Sequence, residues 1–520
     1  MHHDFWLYLI IAACIISAVY WTAFGVNAYN TYNEYNDLGF TAYSMYYHLA
    51  YPNLVGGLQY LVFYNHVAPD QLMVLPFFAL FPSSVTLLVI QAVVLSFTAL
   101  AIFLCAKDIL KSSGWAAGIS GIFLLNPGVW GMLIYNYHSE FLIPLFFVLT
   151  FYFYMKERTG WMLVFLALLL MTIDTAPLVA LPMGAGLLLF EYTYTKDRNV
   201  RKSRERLALM IVAFSVIAIA AYAGIDFVLA QSYLPGYQGL PYYFKAFNFN
   251  GEQFGAAISQ VISGSGAQGL QLPVQPPLLT PYLLYGLIVG FLAFGILLFF
   301  NPWVTLVFAA PWLAEIFLFD NAGFYFVWFQ YYSYLIGGMI VAAILAALLV
   351  KSNRGALAGV LGMRKGAAGK RRANALIVSS AFSVTAVMLI LYPAFVQNGS
   401  LYNLQESFLF YTSAQQQAYI GQINSLLPLI PQNASLMADF FITPHVFSRK
   451  CLEFAPVYGP LFTPQYIIMD YNSNISIGAD TVPVLKTIAN YTKGYNFSVL
   501  ARNGSAVLYV RNWPVQDCLS

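Results

Sequence analysis

The residues able to do chemistry stand out against an apolar background. Glu34 and Asp37 occur in Asn33-Glu34-Tyr35-Asn36-Asp37-Leu38-Gly39, and His66 and Asp70 in Asn65-His66-Val67-Ala68-Pro69-Asp70. His138 and Glu140 occur in Asn136-Tyr137-His138-Ser139-Glu140, while Asp174 and Asp320 each follow an apolar run. Carboxylates and imidazoles exchange protons and suit divalent cations, although no tight motif here demands a metal. Ionisable groups in or at the edge of a bilayer are costly and invite a functional reading. A lone acid such as Asp320 reads as ordinary loop polarity. Asp37 reads differently, because Glu34 lies three residues earlier in the same loop. His66 and His138 fit a functional site and a structural hydrogen bond equally well. Glu315, inside an apolar run, is open between pairing with another helix and facing a cavity.

The elements that must position these residues are membrane spans. The chain has 520 residues, 60% hydrophobic and 9% charged, against about 25% charged in soluble domains. Apolar runs of about twenty residues recur, each long enough for a hydrocarbon core of roughly 30 Å. The expected spans are 5–26, 83–106, 115–134, 139–155, 160–173, 175–194, 207–230, 280–300, 303–319, 327–350 and 374–396. The stretch 160–194 reads as two short helices meeting near Asp174, since one helix of that length would reach about 50 Å. The first run lacks a small-residue cleavage site after it and reads as a retained helix rather than a signal peptide.

Two signals set the expected sidedness. With the N-terminus inside, 17 of the 24 Lys and Arg fall in inner segments, and the other seven are Lys245 and six in the C-terminal region; basic loops mark the cytoplasmic face. Glycosylation sequons, which mark exterior surface, begin at Asn398, Asn433, Asn474, Asn490, Asn496 and Asn503. The fifteen Asn before residue 397 yield none. The motif is short enough to arise by chance, but its clustering agrees with the charge pattern. Every acid and imidazole named above, Glu315 apart, then falls on the outer side. Inner acids such as Asp108, Glu157, Asp197 and Glu205 sit among basic residues that pair with them.

The expected fold is therefore an α-helical polytopic membrane protein, residues 1–396, with about 11 transmembrane helices. A small extracytoplasmic α/β domain, residues 397–520, follows it. In that region Ser413 to Leu427 and Val482 to Tyr491 read as helices, and Ala434 to Asp439 and Tyr466 to Asp470 as buried strands. Ser498 to Arg502 with Ala506 to Arg511 reads as a hairpin around Asn503-Gly504. No Gly-rich phosphate loop is present, so packing or acceptor binding is its expected use. An exterior loop at about 231–279 contains Lys245 and a segment, Ile262 to Gln275, expected to be weakly ordered. Cys14 and Cys105 lie in apolar runs, whereas Cys451 and Cys518 could form a disulfide in an oxidising exterior. A net charge of +3 and the lack of a basic stripe give no support for nucleic-acid binding.

The chain resembles a family of polytopic membrane proteins catalogued as domain of unknown function 2079, most closely over residues 30–195. The family's Asp-Leu-Gly after the first helix is matched by Asp37-Leu38-Gly39. Its His-x-Ser-Pro is matched by His66-Val67-Ala68-Pro69, with Ala for Ser. Its Asp-Phe-His-Pro-Glu turn is matched by Asn136 to Glu140, keeping His and Glu, and its Lys-Glu-Asp keeps only Asp174. That family in turn resembles the GT-C superfamily of membrane glycosyltransferases. The resemblance implies a polyprenyl-phosphate sugar donor entering from membrane lipid into an outer cavity. It implies Asp37, with Glu34 beside it, as the catalytic carboxylate, and inversion at the sugar. His66, Asp70, His138, Glu140, Asp174 and Lys245 would bind substrate. Lys245, His66, His138 or a divalent metal would stabilise the departing phosphate.

Two other functions compete with this one. A transporter would spread polar groups through the depth of the bundle and show internal repeats. A non-catalytic receptor or assembly protein would act through residues 397–520. An enzyme site requires Asp37, His66, His138, Glu140 and Asp174 to converge on one cavity.

Overall fold

Long runs of Leu, Ile, Val, Phe and Ala form helices whose ends are set by a few polar residues. The computed structural model describes residues 2–34, 36–51, 66–135, 137–232, 300–318, 330–352, 412–439, 441–454, 463–471 and 492–511, with Val62, Phe291, Leu298 and Ser379 between them. Its helices begin with α1 (His2–Asn30), α2 (Asn36–Ala50), α3 (Gln71–Leu80), α4 (Ser84–Leu110), α5 (Ser113–Leu124) and α6 (Pro127–Ile134). A 3-10 turn, Ser139–Leu142, leads into α7 (Ile143–Met155), followed by α8 (Thr159–Leu170), α9 (Ala176–Tyr194) and α10 (Arg198–Ser232). Then come α11 (Pro302–Leu318) and α12 (Ser333–Lys351). In α4, Ser83 caps the start by accepting the Val85 N–H at 3.2 Å, and Lys111 ends the helix at φ 49°.

Among the described residues, five helices are long and apolar enough to cross a membrane: α1, α4, α9, α10 and α12. The pair α5 and α6, bent by 44°, adds a sixth if it forms one span. The other apolar helices are shorter. The twelve residues of α8 reach only about 18 Å at 1.5 Å per residue, short of a hydrocarbon core. The expected count of about eleven is thus not reached among the described residues, and the expected spans 280–300 and 374–396 lie almost wholly outside them. So do Lys245, Asp320, the Ile262 to Gln275 segment and the helix expected at Val482 to Tyr491. The side chain of Glu315 also lies outside them.

The helix α12 is buried along nearly its whole length at the centre of the bundle, packed on α4, α7 and α11. Opposite ends of α4 have opposite character, about 40 Å apart at 1.5 Å per residue. At its C-terminal end Lys111 and Lys156 both reach Asp108, at 2.6 and 2.5 Å. Nearby on that face, Arg204 lies 3.5 Å from Glu157. At its N-terminal end Ser84 donates to the Pro444 carbonyl at 2.7 Å, tying α4 to the C-terminal unit.

That unit contains α13 (Ala414–Leu426), capped by Ser413, and the four-residue helical turn α14 (Thr443–Val446). Its five-stranded sheet comprises β1 (Leu436–Ala438), β2 (Leu452–Phe454), β3 (Tyr466–Asp470), β4 (Phe497–Asn503) and β5 (Ala506–Arg511). The order is β2-β1-β3-β5-β4, parallel around β1 and antiparallel from β3 through β5 to β4. Gly504 turns the β4–β5 hairpin at φ 58°, a left-handed conformation that glycine adopts without penalty. Cys14 and Cys105 are free, whereas Cys451 is disulfide-bonded; Cys518 lies outside the described residues.

The sheet unit docks on α1, α2 and α3 through α14 and the residues after it. His445 lies between the rings of Tyr29 and Tyr32, 4.0 Å from each, and burial pushes its pKa down to about 4. Phe447 packs edge-on against Phe78, and Tyr43 donates to the Lys450 carbonyl at 3.1 Å. Gly39 is what allows α2 to approach α14: a Cβ there would lie 2.9 Å from Cβ and Oγ1 of Thr443 and 3.0 Å from the Pro444 nitrogen. Gly39→Ala should therefore overpack this contact, at about 1–3 kcal/mol, and lower the thermal midpoint of the detergent-solubilised protein. Gly114→Ala, in open space within α5, should leave it unchanged or raise it. Equal midpoints for the two variants would show that the α2–α14 contact carries no strain.

Candidate functional site

Five segments bring the polar residues to one end of the bundle, the end bearing the sheet unit. The first turn of α2 presents Asp37. The segment before α3 presents His66 and Asp70. The turn from α6 into α7 presents Tyr135, His138 and Glu140, the break between α8 and α9 presents Asp174, and the first turn of α12 presents Tyr334. The third of these is fixed by its own sequence. Asn126 caps α6 by accepting the Gly128 N–H at 2.7 Å, with Pro127 at the first helical position. A Cβ on Gly128 would lie 2.5 Å from the Tyr332 ring, so glycine there lets the start of α12 close against α6.

His138 is the hub. Its Nε2 lies 3.5 Å from Asp37 Oδ2 and its Nδ1 lies 3.6 Å from Glu140 Oε2, so one imidazole bridges two carboxylates. Both distances are those of ion pairs rather than short hydrogen bonds. Tyr135 donates to the same Asp37 oxygen at 3.1 Å and stacks on the His138 ring at 4.9 Å. Gln91, about two turns into α4, accepts the His138 backbone N–H at 3.0 Å and donates to the Met132 carbonyl at 2.6 Å, which fixes the turn. Behind Glu140, Tyr334 donates at 3.4 Å and shares a 2.8 Å hydrogen bond with Thr175. A second pair lies alongside: His66 Nδ1 is 3.3 Å from Asp174 Oδ2, which also accepts the Val67 N–H at 3.4 Å.

The charge states follow from competition between burial and pairing. Burial is the largest effect on Asp37 and favours the neutral acid. The charge and contact of His138 and the Tyr135 hydrogen bond outweigh it and hold the carboxyl below its usual range. Burial likewise opposes charge on His138, but Asp37 and Glu140 together raise its pKa to about 9. For His66, Asp174 more than offsets burial and the pKa rises. Asp70 goes the other way: burial, reinforced by the charge of Glu140, lifts it well above the carboxylate range despite a hydrogen bond from Ser139. His138 is thus protonated at neutral pH and Asp37 is held toward its ionised form, while Asp70 is driven toward its neutral form.

Asp37, His66, His138 and Glu140 line one cavity of about 50 Å³, with Thr41, Ser44, Gln71 and Tyr137 among its other walls. The Asp37 and His138 side chains are 22% and 17% exposed, so a ligand in the cavity can reach them. Asp174 braces His66 from behind and does not line the cavity. Glu34 is buried elsewhere, does not line the cavity, and is lifted well above the carboxylate range by burial. Lys245 lies outside the described residues. Among the described residues, no group of three His, Cys, Asp or Glu side chains is arranged to hold a metal ion. Below the cavity, α7 carries no Asp, Glu, His, Lys or Arg, α12 none before Lys351, and α4 none before Lys107.

Tyr135, Tyr334, Thr175 and Gln91 are parts of the site that the sequence does not single out. With 38 tyrosines in the chain, neither Tyr135 nor Tyr334 has contrast. Gln91 does carry a signal, as the single amide within the apolar run 83–106.

No curated protein matches the sequence. Among solved structures, the apo form of ArnT from Cupriavidus metallidurans is similar at 12% identity, with 98% of each chain covered and a TM-score of 0.49. The model of the family described as "Predicted membrane protein (DUF2079)" matches residues 35–492, and the protein belongs to that family.

Proposed function

We propose that this chain is a membrane glycosyltransferase of the GT-C type, moving a sugar from a polyprenyl-phosphate donor to an acceptor hydroxyl at the outer face of the membrane. The observation that carries the reading is the Asp37–His138–Glu140 series opening onto one polar cavity. Asp37 is ionised and reachable, so it can accept the proton of an acceptor hydroxyl as that oxygen attacks the anomeric carbon. The carbon–oxygen bond to the lipid phosphate breaks on the opposite face, and the configuration inverts. His138 keeps Asp37 ionised and oriented, Glu140 keeps His138 charged, and Tyr334 with Thr175 holds Glu140. Glu34, buried, driven toward its neutral form and not among the cavity walls, takes no part in this step.

The departing phosphate needs positive charge or hydrogen-bond donors. His66 and His138 are already matched by Asp174 and by Asp37 with Glu140, so their charges are largely spent within the site. Lys245 is the remaining candidate on the proposed outer side, or a divalent cation bound with the substrate. A transporter is less well supported, because among the described residues the helices α4, α7 and α12 carry no Asp, Glu, His, Lys or Arg between the cavity and Lys107 or Lys351.

Asp37→Asn should lower turnover of a polyprenyl-phosphate sugar by about 10²–10⁴-fold. The test uses purified protein in lipid bilayers, with expression and thermal midpoint unchanged. Turnover equal to that of the unmodified protein would remove Asp37 as the base.

The pH profile gives a separate test. Asp37 must be ionised and His138 protonated, so kcat/KM should be flat from about pH 5 to 8. On the acid side it should fall only below the ordinary carboxylate range, because His138 and Tyr135 hold Asp37 beneath that range, and on the alkaline side it should fall above about pH 9, where His138 loses its proton. His138→Gln should abolish the alkaline limb. It should also move the acid limb upward, because Asp37 then keeps its burial and loses its cation. An unchanged profile in that variant would contradict the pairing.

A further inference from the structure

The end of the bundle away from the cavity carries a group of cations with a defined place. At the start of α10, Arg198, Lys202 and Arg206 recur every fourth residue, and all three are exposed. At 100° per residue they fall within a sector of about 80°. Arg201 and Arg204 lie outside that sector and are engaged within the protein: Arg201 is 3.5 Å from Glu205, and Arg204 is 3.5 Å from both Glu157 and Glu191. The acid just before the helix, Asp197, accepts the N–H groups of Asn199 and Val200 at 2.9 and 3.3 Å. Among the described residues, the three exposed cations take no part in these ion pairs.

The same sector continues into the bilayer. Residues 207–225 of α10 carry no Asp, Glu, His, Lys or Arg and extend about 28 Å, close to the thickness of a hydrocarbon core. Within them Leu209, Val216 and Ile217 are 53%, 51% and 62% exposed. These three lie in the sector of the cations or within about 20° of its edge. Ala208, Ile211 and Ser215, on the opposite face, are fully buried. One helix thus sets a cationic stripe directly in line with a lipid-facing apolar stripe. Arg206 stands at the edge of the apolar length, and Lys202 about 6 Å beyond it. The headgroup layer is about 5–8 Å deep on each side of a bilayer, so both cations are at the depth of lipid phosphates. The exposed ring of Tyr192 marks the same level: Gly184 of α9 lies against Ala208 and Val212, which sets Tyr192 beside the turn containing Lys202. Tyrosine is enriched at that depth.

We propose that this face of α10 binds an anionic phospholipid, with its phosphate between Lys202 and Arg206 and an acyl chain along Leu209, Val216 and Ile217. Charge complementarity selects the headgroup. A zwitterionic lipid brings its own cation beside the phosphate, whereas a net negative headgroup gains from each Lys or Arg near the surface. The site is at the opposite end of the bundle from the Asp37 cavity and does not depend on the reaction proposed there.

The test uses the full-length protein purified in neutral detergent and titrated with dioleoyl phosphatidylglycerol or dioleoyl phosphatidylcholine, with bound lipid counted by native mass spectrometry. Phosphatidylglycerol should bind about tenfold more tightly. Lys202→Gln and Arg206→Gln should each weaken it about fivefold, and Lys202→Arg with Arg206→Lys should preserve it. Arg158→Gln, which removes an exposed cation at the same end but outside α10, should leave it unchanged. Excess glycerophosphoglycerol, the headgroup without chains, should not displace the lipid. Equal affinity for the two lipids, or an equal loss in Arg158→Gln, would overturn the proposal by reducing the binding to general attraction. Displacement by the soluble headgroup would overturn the acyl contact.

Discussion

The bridge from Asp37 through His138 to Glu140 is the contact on which the rest of this end of the molecule depends. Three ionisable groups are taken largely out of water, which is unfavourable for each alone. They remain charged because one cation lies between two anions. At an effective dielectric of about 20, charges 3.5 Å apart attract by roughly 5 kcal/mol before screening and desolvation. Asp70, close by and without such a cation, is shifted the other way, toward its neutral form. The same carboxyl group is driven in opposite directions depending on a neighbouring imidazole.

Holding that bridge explains features far from it. Asp37 belongs to α2 and His138 to the turn after α6, so both elements must be fixed. Gln91 pins the turn from the second turn of α4. Gly128 lets α12 close on α6, and Gly39 lets the sheet unit press on α2 two residues from Asp37. The C-terminal unit is thereby coupled mechanically to the cavity, through Thr443 and Pro444, although the cavity walls come from the helical part. The apolar interior below the cavity, dominated by α12, confines the polar groups to one end.

Much of the site was legible because ionisable residues are rare here and fall in turns between apolar runs. Asp37, His66, His138 and Glu140 reach the cavity as their motifs implied, and the break near Asp174 separates α8 from α9. Glu34, read with Asp37 as part of one loop, is buried and does not line the cavity. The two are not on one helix: α1 ends at Asn30, and α2 begins only at Asn36. The helices α2 and α3 were illegible, since Asn36–Ala50 is tyrosine-rich and only weakly apolar, and Gln71–Leu80 is too short to register as a span. Which histidine pairs with which acid depends on contacts between residues 37 and 138, or 66 and 174, and no local pattern encodes those. In the sheet unit, β1 and β3 were legible as short apolar runs bounded by turn residues, and the β4–β5 hairpin from Asn503-Gly504. The three-residue β2 was not, because so short a strand exists only through its pairing with β1.

The bridge can be observed directly through ¹⁵N NMR of the histidine rings in the lipid-reconstituted protein, with His138 assigned by substitution. The account predicts that His138 stays doubly protonated through neutral pH and titrates near pH 9, and that Asp37→Asn shifts this titration downward. A His138 ring that titrates near the ordinary value of about 6.5, indifferent to Asp37, would contradict it.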